Sequence, residues 1–323
     1  MSFIAEGRLW REKIIVDALH TADVQPAPAY APKILAAFAA HDSPSPSPPN
    51  DSEILRNRKR PAGALEGLPA MVPRHLEIMA FDSPPDACNL KDVPSAPEFL
   101  AAAEDLFRAI LDAFRRRVLH RDISVNNVLA AHNQLLMVDW EIGRRFQEPL
   151  SAAGRGTVTG TLDTMSMASL ANRDPLPHDD IESAVYVFLK VLTQTFVPPV
   201  DQEREWAAIL DAYCWDDPDV QPQRLLTMRG YMWTGRNMID STVDKTVQIF
   251  RSGGHATRAQ LVLSLLSLPL PDQRKLIDSS DYDAILSSLQ DLVEQAVAAV
   301  RSVDASSLIW NSAEVADAGQ EEI

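Results

Sequence analysis

The chain has 323 residues, 46% of them hydrophobic, with 45 acidic against 30 basic residues and a formal net charge of −15. That length suits a two-lobed domain or two small ones, and the acidic balance argues against nucleic acid or an anionic membrane as partner, since both reward a basic surface. Two cysteines, Cys88 and Cys214, make no disulfide framework; MSFIAEGRLWREKI is no secretory leader, and no apolar run approaches the roughly 18 residues of a membrane span, so the reading is an intracellular protein, cytoplasmic or nuclear.

In chain order, residues 3–20 read as a helix, with Leu9, Ile14, Ile15 and Leu19 near helical spacing. The stretch DSPSPSPPND at 42–51 is a loop, because proline removes donors and fixes φ; Ser43, Ser45 and Ser47 there are candidate proline-directed phosphosites. HLEIMAF (75–81) suits a strand. Residues 94–117 are a long helical pattern with Phe99, Leu106, Ile110, Leu111 and Phe114 on its apolar face, and 134–138 is a short strand ending at Asp139. IESAVYVFLKVL, from 181, is apolar nearly all round and reads as a buried helix. Further helices fit 201–213, 236–250, 256–268 and 281–301, ahead of an acidic, flexible tail over 303–323.

The chemistry concentrates between the 94–117 helix and the 134–138 strand. His120-Arg121-Asp122 is followed by Asn127, and Asp139 opens a further acidic segment. Phosphoryl transfer needs an acid to orient the attacking hydroxyl, which fits Asp122. It also needs oxygen ligands for Mg²⁺ beside the phosphates, which fits Asn127 and Asp139.

HRDIS (120–124), Asn127, VDW (138–140), Gly160-Thr161, MS (165–166) and DDIES (179–183) together resemble the fungal-type protein kinase family, from about Pro73 to Leu192. The resemblance implies an α+β, protein-kinase-like two-lobed fold. Its C-terminal lobe (82–302) is mostly helical, and residues 1–81 form a reduced small-lobe remnant. It implies ATP and Mg²⁺ as cofactors and a protein substrate. By the same resemblance Asp122 is the catalytic acid or base, with His120 and Arg121 beside it, and Asn127 and Asp139 hold metal and nucleotide. Arg121 steadies an activation segment of about 139–168, Gly160-Thr161 lines the substrate-facing floor, and Asp180 braces the catalytic loop. Thr157, Thr159 and Ser151 fall in that segment, where a phosphate would pair with Arg121 or Arg155.

The chain departs from the pattern in several ways. Asp139-Trp140-Glu141 stands where Asp-Phe-Gly is usual, Ala168 where a glutamate ends the segment, and Ser124 where many Ser/Thr kinases carry lysine. Before His120 the only glycines are Gly7, Gly63 and Gly67, in no G-x-G-x-x-G pattern, and Lys13, Lys33, Lys59 and Lys91 lie in no V-A-x-K strand. If the 3–20 helix supplies the pairing glutamate, Glu12 is the first candidate and Glu6 the second. The lysine would then belong upstream, so the first three strands of the small lobe are expected to be missing. The function expected is Ser/Thr protein kinase. The alternatives are a catalytically impaired pseudokinase or scaffold, which a partner could complete, and a small-molecule phosphotransferase of the aminoglycoside or choline kinase type.

Overall fold

The computed structural model describes residues 2–5, 11–21, 24, 26–40, 74–82, 84–131, 134–147, 160–215, 217, 219–234, 242–270 and 281–310. The 42–51 loop with Ser43, Ser45 and Ser47 lies outside the described residues, as do Glu6, Ser151, Arg155, Thr157, Thr159 and the chain beyond 310.

The first element is a strand where a helix was expected. β1 (Ser2–Ala5) and β2 (Ile34–Ala40) pair antiparallel with opposite edges of β3 (Arg74–Phe81), giving the order β1-β3-β2. Phe3 and Ile4 suit a pleated partner better than a helix end, and Gly7 separates them from the helical run. The helix α1 follows at Arg11–Thr21 and buries Glu12, Ile15, Val16 and Leu19. These fall at i, i+3, i+4 and i+7, the stripe of an amphipathic helix. Ile14, expected on that face, is exposed.

After β4 (Cys88–Asn89) and a 3₁₀ turn at Leu90–Asp92, the helix α2 runs Ala96–Arg115. The Ser95 hydroxyl caps it by accepting the Glu98 N–H, with a proline in the first turn. Its far end is tied down by Arg116. That buried guanidinium meets Asp112 at 2.7 Å and donates to the carbonyls of Leu19, Val24 and Pro26, so α2 holds the chain that leaves α1.

Two short hairpin-like pairings follow. β5 (Val118–Leu119) pairs with β8 (Arg144–Arg145), and β6 (Val128–Ala131) pairs with β7 (Gln134–Met137) and β4. A one-turn helix α3 (Met167–Leu170) precedes α4 (Pro177–Gln194), the central helix of the chain. Every residue of α4 from Pro177 to Thr193 is buried, which accounts for its apolar character all round. Around it stand α5 (Glu203–Tyr213), α6 (Pro222–Thr234), α7 (Thr242–Ser252), α8 (Ala256–Leu265) and α9 (Tyr282–Arg301). α2 packs on α4 and α9, and α8 on both of these.

Residues 303–310, which composition placed in a flexible tail, are part of the core. Trp310 is 2% exposed, stacks on Phe99 at 4.3 Å between ring centres, and donates its indole N–H to the Val93 carbonyl. Buried Arg258 clamps this segment by donating to the carbonyls of Ile309 and Trp310 while also holding the Leu192 carbonyl at the end of α4. Acidity alone marks a tail only where no aromatic anchor is present. Trp310→Ala is therefore expected to cost about 3–5 kcal/mol of stability, read from the urea unfolding midpoint. A loss below about 1 kcal/mol, the scale of an ordinary surface change, would show that the segment adds nothing to the core.

Candidate active site

The catalytic-loop residues occupy the turn between β5 and β6. The β5–β8 pairing sets Leu119 opposite Arg144, so the chain leaves β5 beside the segment that follows Asp139. His120 is 1% exposed and packs on Trp140, with ring centres 4.3 Å apart. Its Nε2 lies 3.1 Å from the Val138 carbonyl, which can only accept, and its Nδ1 accepts the Asp122 N–H. The ring is thus the neutral Nε2–H tautomer, and burial pushes its pKa down to about 4 against the opposing pull of the Asp122 carboxylate. A neutral, wedged imidazole is a spacer between the two loops.

Arg121 and Asp139 both adopt left-handed backbone, at φ 72° and 60°. Such conformations cost a non-glycine residue about 1 kcal/mol or more, and here hydrogen bonds beside each residue hold them. Arg121 N–H donates to Asp180 Oδ1, and Arg121 Nη1 reaches the Ile142 carbonyl. Around Asp139, Val138 N–H donates to the Asn127 carbonyl and Trp140 N–H to Glu12 Oε1. Trp140 is fully buried, and its indole N–H meets the Met137 carbonyl at 2.7 Å. The residue in the place of the usual phenylalanine therefore anchors the segment, and Asp139 stays at the surface.

Asp122 stands at the centre. Its Oδ1 accepts the Thr161 N–H at 2.8 Å and its Oδ2 the Asn127 amide at 3.1 Å, while the same amide reaches the Asp122 carbonyl at 3.0 Å. The backbone at Gly160 makes this approach possible: its φ is 117°, and a Cβ there would lie 3.3 Å from Asp122 Oδ1. Because the Asn127 NH₂ faces Asp122, its carbonyl oxygen remains for a cation. Asp139 supplies a second hard oxygen; its pKa is raised by the desolvating surroundings of its carboxyl and then by the nearby Asp122 carboxylate. A carboxylate and an amide oxygen are ligands of the kind Mg²⁺ takes, with several waters kept. Among the described residues no group of three His, Cys, Asp or Glu side chains is placed to hold a metal.

The structure also brings Asp180 to this loop. Its two oxygens accept the N–H groups of His120 (2.9 Å) and Arg121 (2.8 Å). Glu12 arrives from α1, whose Arg11 donates twice to the Gly143 carbonyl. Glu182 is a residue that motif reading quoted within DDIES without a role. It is buried and accepts the Met167 N–H at 2.8 Å and the Tyr186 hydroxyl at 2.7 Å. Its burial opposite the end of the segment was visible in the sequence only as an acid inside an apolar helix.

Burial pushes Asp180 up to about 7 against the two donated N–H groups. A carboxyl raised above its unfolded value favours the folded state most at low pH, and this share is lost as the pH climbs through 7. Asp180→Ala leaves two donors unmet, and each unmet buried donor costs about 1–3 kcal/mol. The destabilisation is expected to be larger at pH 5 than at pH 8 in urea titrations. A loss that grows with pH would mean that the two hydrogen bonds outweigh burial.

The comparisons agree with the motifs. The fungal protein kinase family model matches residues 50–192, less than half of the chain. No curated protein matches the chain. The match spans the catalytic loop, the Asp139 segment and nearly all of α4. Over residues 50–192 the chain is similar to the fungal protein kinase family.

Proposed function

We propose that the chain is a protein kinase that transfers the γ-phosphate of ATP to Ser or Thr hydroxyls of a protein substrate. The observation that carries this reading is the Asp122 carboxylate, held between the Thr161 N–H and the Asn127 amide. A carboxylate fixed at both oxygens has one orientation to offer an incoming hydroxyl, and phosphoryl transfer depends almost wholly on positioning and charge stabilisation. Asn127 Oδ1 and the Asp139 carboxylate would hold Mg²⁺, which when bound neutralises charge on the phosphates. Asp122 orients the attacking hydroxyl and receives its proton at a carboxylate oxygen. Thr161 N–H holds the other oxygen, and His120 keeps the loop at its distance from Trp140. Arg121 lies beside the segment that follows Asp139, where a phosphate on Thr157 or Thr159 would find a cation.

A second reading, a kinase-like module that binds nucleotide and partners with little or no transfer, has its own observation. A strand, β1, precedes α1 as the lysine-bearing strand of a protein kinase precedes its glutamate helix, but Ser2–Ala5 reads SFIA and holds no lysine. Lys13 lies on α1 itself, bonded to Asp17. Glu12 is turned to the Trp140 N–H. A protein that completes the small lobe is the partner this reading calls for. Among the described residues no helix is long and apolar enough to cross a membrane.

The deciding experiment is γ-phosphate transfer from Mg·ATP by the full chain, to itself and to a generic basic protein. Asp122→Asn is expected to lower the rate by about 10²–10⁴-fold, the usual share of a positioned acid–base group, while the chain still folds. Asp139→Asn is expected to abolish the Mg²⁺ dependence of nucleotide binding in calorimetry. Full transfer in the Asp122→Asn variant would remove that residue from its role. A folded wild type that binds Mg·ATP and transfers nothing would decide for the second reading.

A further inference from the structure

Buried beneath the segment that faces Asp122 lies a cation that the proposed chemistry leaves unused. Arg229 of α6 is fully buried and sits 4.1 Å over the ring of Tyr186. Its Nη2 donates to the Leu162 carbonyl at 3.0 Å, while its Nε and Nη1 have no hydrogen-bond partner. A guanidinium in this state is a poor choice for stability alone, because unmet buried donors are costly and a well-packed apolar residue commonly serves as well. Its placement needs another reason.

The reason lies in what surrounds it. Glu182 accepts the Met167 N–H and the Tyr186 hydroxyl, and Tyr186 in turn accepts the Trp233 indole N–H at 2.7 Å. Glu182, Tyr186 and Arg229 influence one another electrostatically. Lys190 holds Asp163 between the same two anchor points, at 2.5 Å. Residues 162–167 are thus gripped at Leu162 by Arg229, at Asp163 by Lys190 and at Met167 by Glu182. The residue immediately before the grip is Thr161, whose N–H fixes Asp122.

We propose that Arg229, acting with Glu182, is a positioning residue that sets the 162–167 segment so that Thr161 N–H meets Asp122. This rests on the reading of Asp122 as the group that orients the hydroxyl. The arrangement also sets how a protein substrate meets the site, because 160–164 is the stretch of chain beside Asp122.

The test is amide hydrogen exchange on the full chain, wild type against Arg229→Met, with α9 as internal control. Exchange at Thr161, Thr164, Met165 and Met167 is expected to quicken at least tenfold while α9 keeps its protection. Unchanged exchange over 161–167, or an equal loss of protection in α9, would overturn the proposal. Should Arg229→Met fail to fold, Glu182→Gln keeps one acceptor for Met167 and removes the charge near Arg229; the same local pattern is expected, and no change would overturn the proposal. Where transfer is measurable, Arg229→Met is expected to raise KM for the protein substrate several-fold with KM for ATP unchanged, and Arg229→Lys to recover part of it. Equal changes in both KM values would overturn it. Absence of transfer in the wild type would sink the kinase reading, and the exchange pattern would still decide this one.

Discussion

The site depends on two buried carboxylates near the start of α4. Asp180 and Glu182 are two residues apart, so on a helix they face different ways. One accepts the backbone N–H groups of His120 and Arg121, and the other accepts the N–H of Met167. A single helix therefore sets the 120–122 loop and the chain at Met167 against each other. Backbone N–H groups donate to both, the Tyr186 hydroxyl donates to Glu182, and the N-terminal end of the helix favours negative charge. Burial opposes this and pushes both groups up to about 7.

A second constraint comes from α1. Glu12 and Arg11, adjacent on that helix, hold Trp140 N–H and the Gly143 carbonyl, and Ile15 packs close to Gly143, where a Cβ would come within 2.9 Å of the Trp140 carbonyl. The Asp139 segment is therefore bound between α1 on one side and His120 on the other. Its position follows from α1 as much as from the loop it faces.

The loop at 120–127 was legible because a motif of residue types at fixed spacing is read locally, as HRDIS with Asn127 and Asp139 is. α2 and α4 were legible for a different reason: long apolar periodicity leaves few alternatives. What was illegible involved exchange between levels. α6 was not anticipated because its buried stripe, Leu225, Arg229 and Met232, has an arginine in the middle, and a cation there disguises the period. The strand at Ser2–Ala5 was lost in a helical pattern because four residues offer too few positions to separate period 2 from period 3.6. The order of residues 303–310 depends on Arg258 and Phe99, both far away in sequence. The contact of Arg229 with the Tyr186 ring joins two helices, and nothing in either alone announces it.

The burial of Trp140 has one more consequence. Its ring is under His120, its indole N–H is on the Met137 carbonyl, and its backbone N–H is on Glu12. Turning the Asp139 segment outward would expose a large aromatic surface and break two hydrogen bonds at once, so the segment has one resting place and no ready second. A displacement of α1 would release the hold on this segment through Glu12 on the Trp140 N–H and Arg11 on the Gly143 carbonyl.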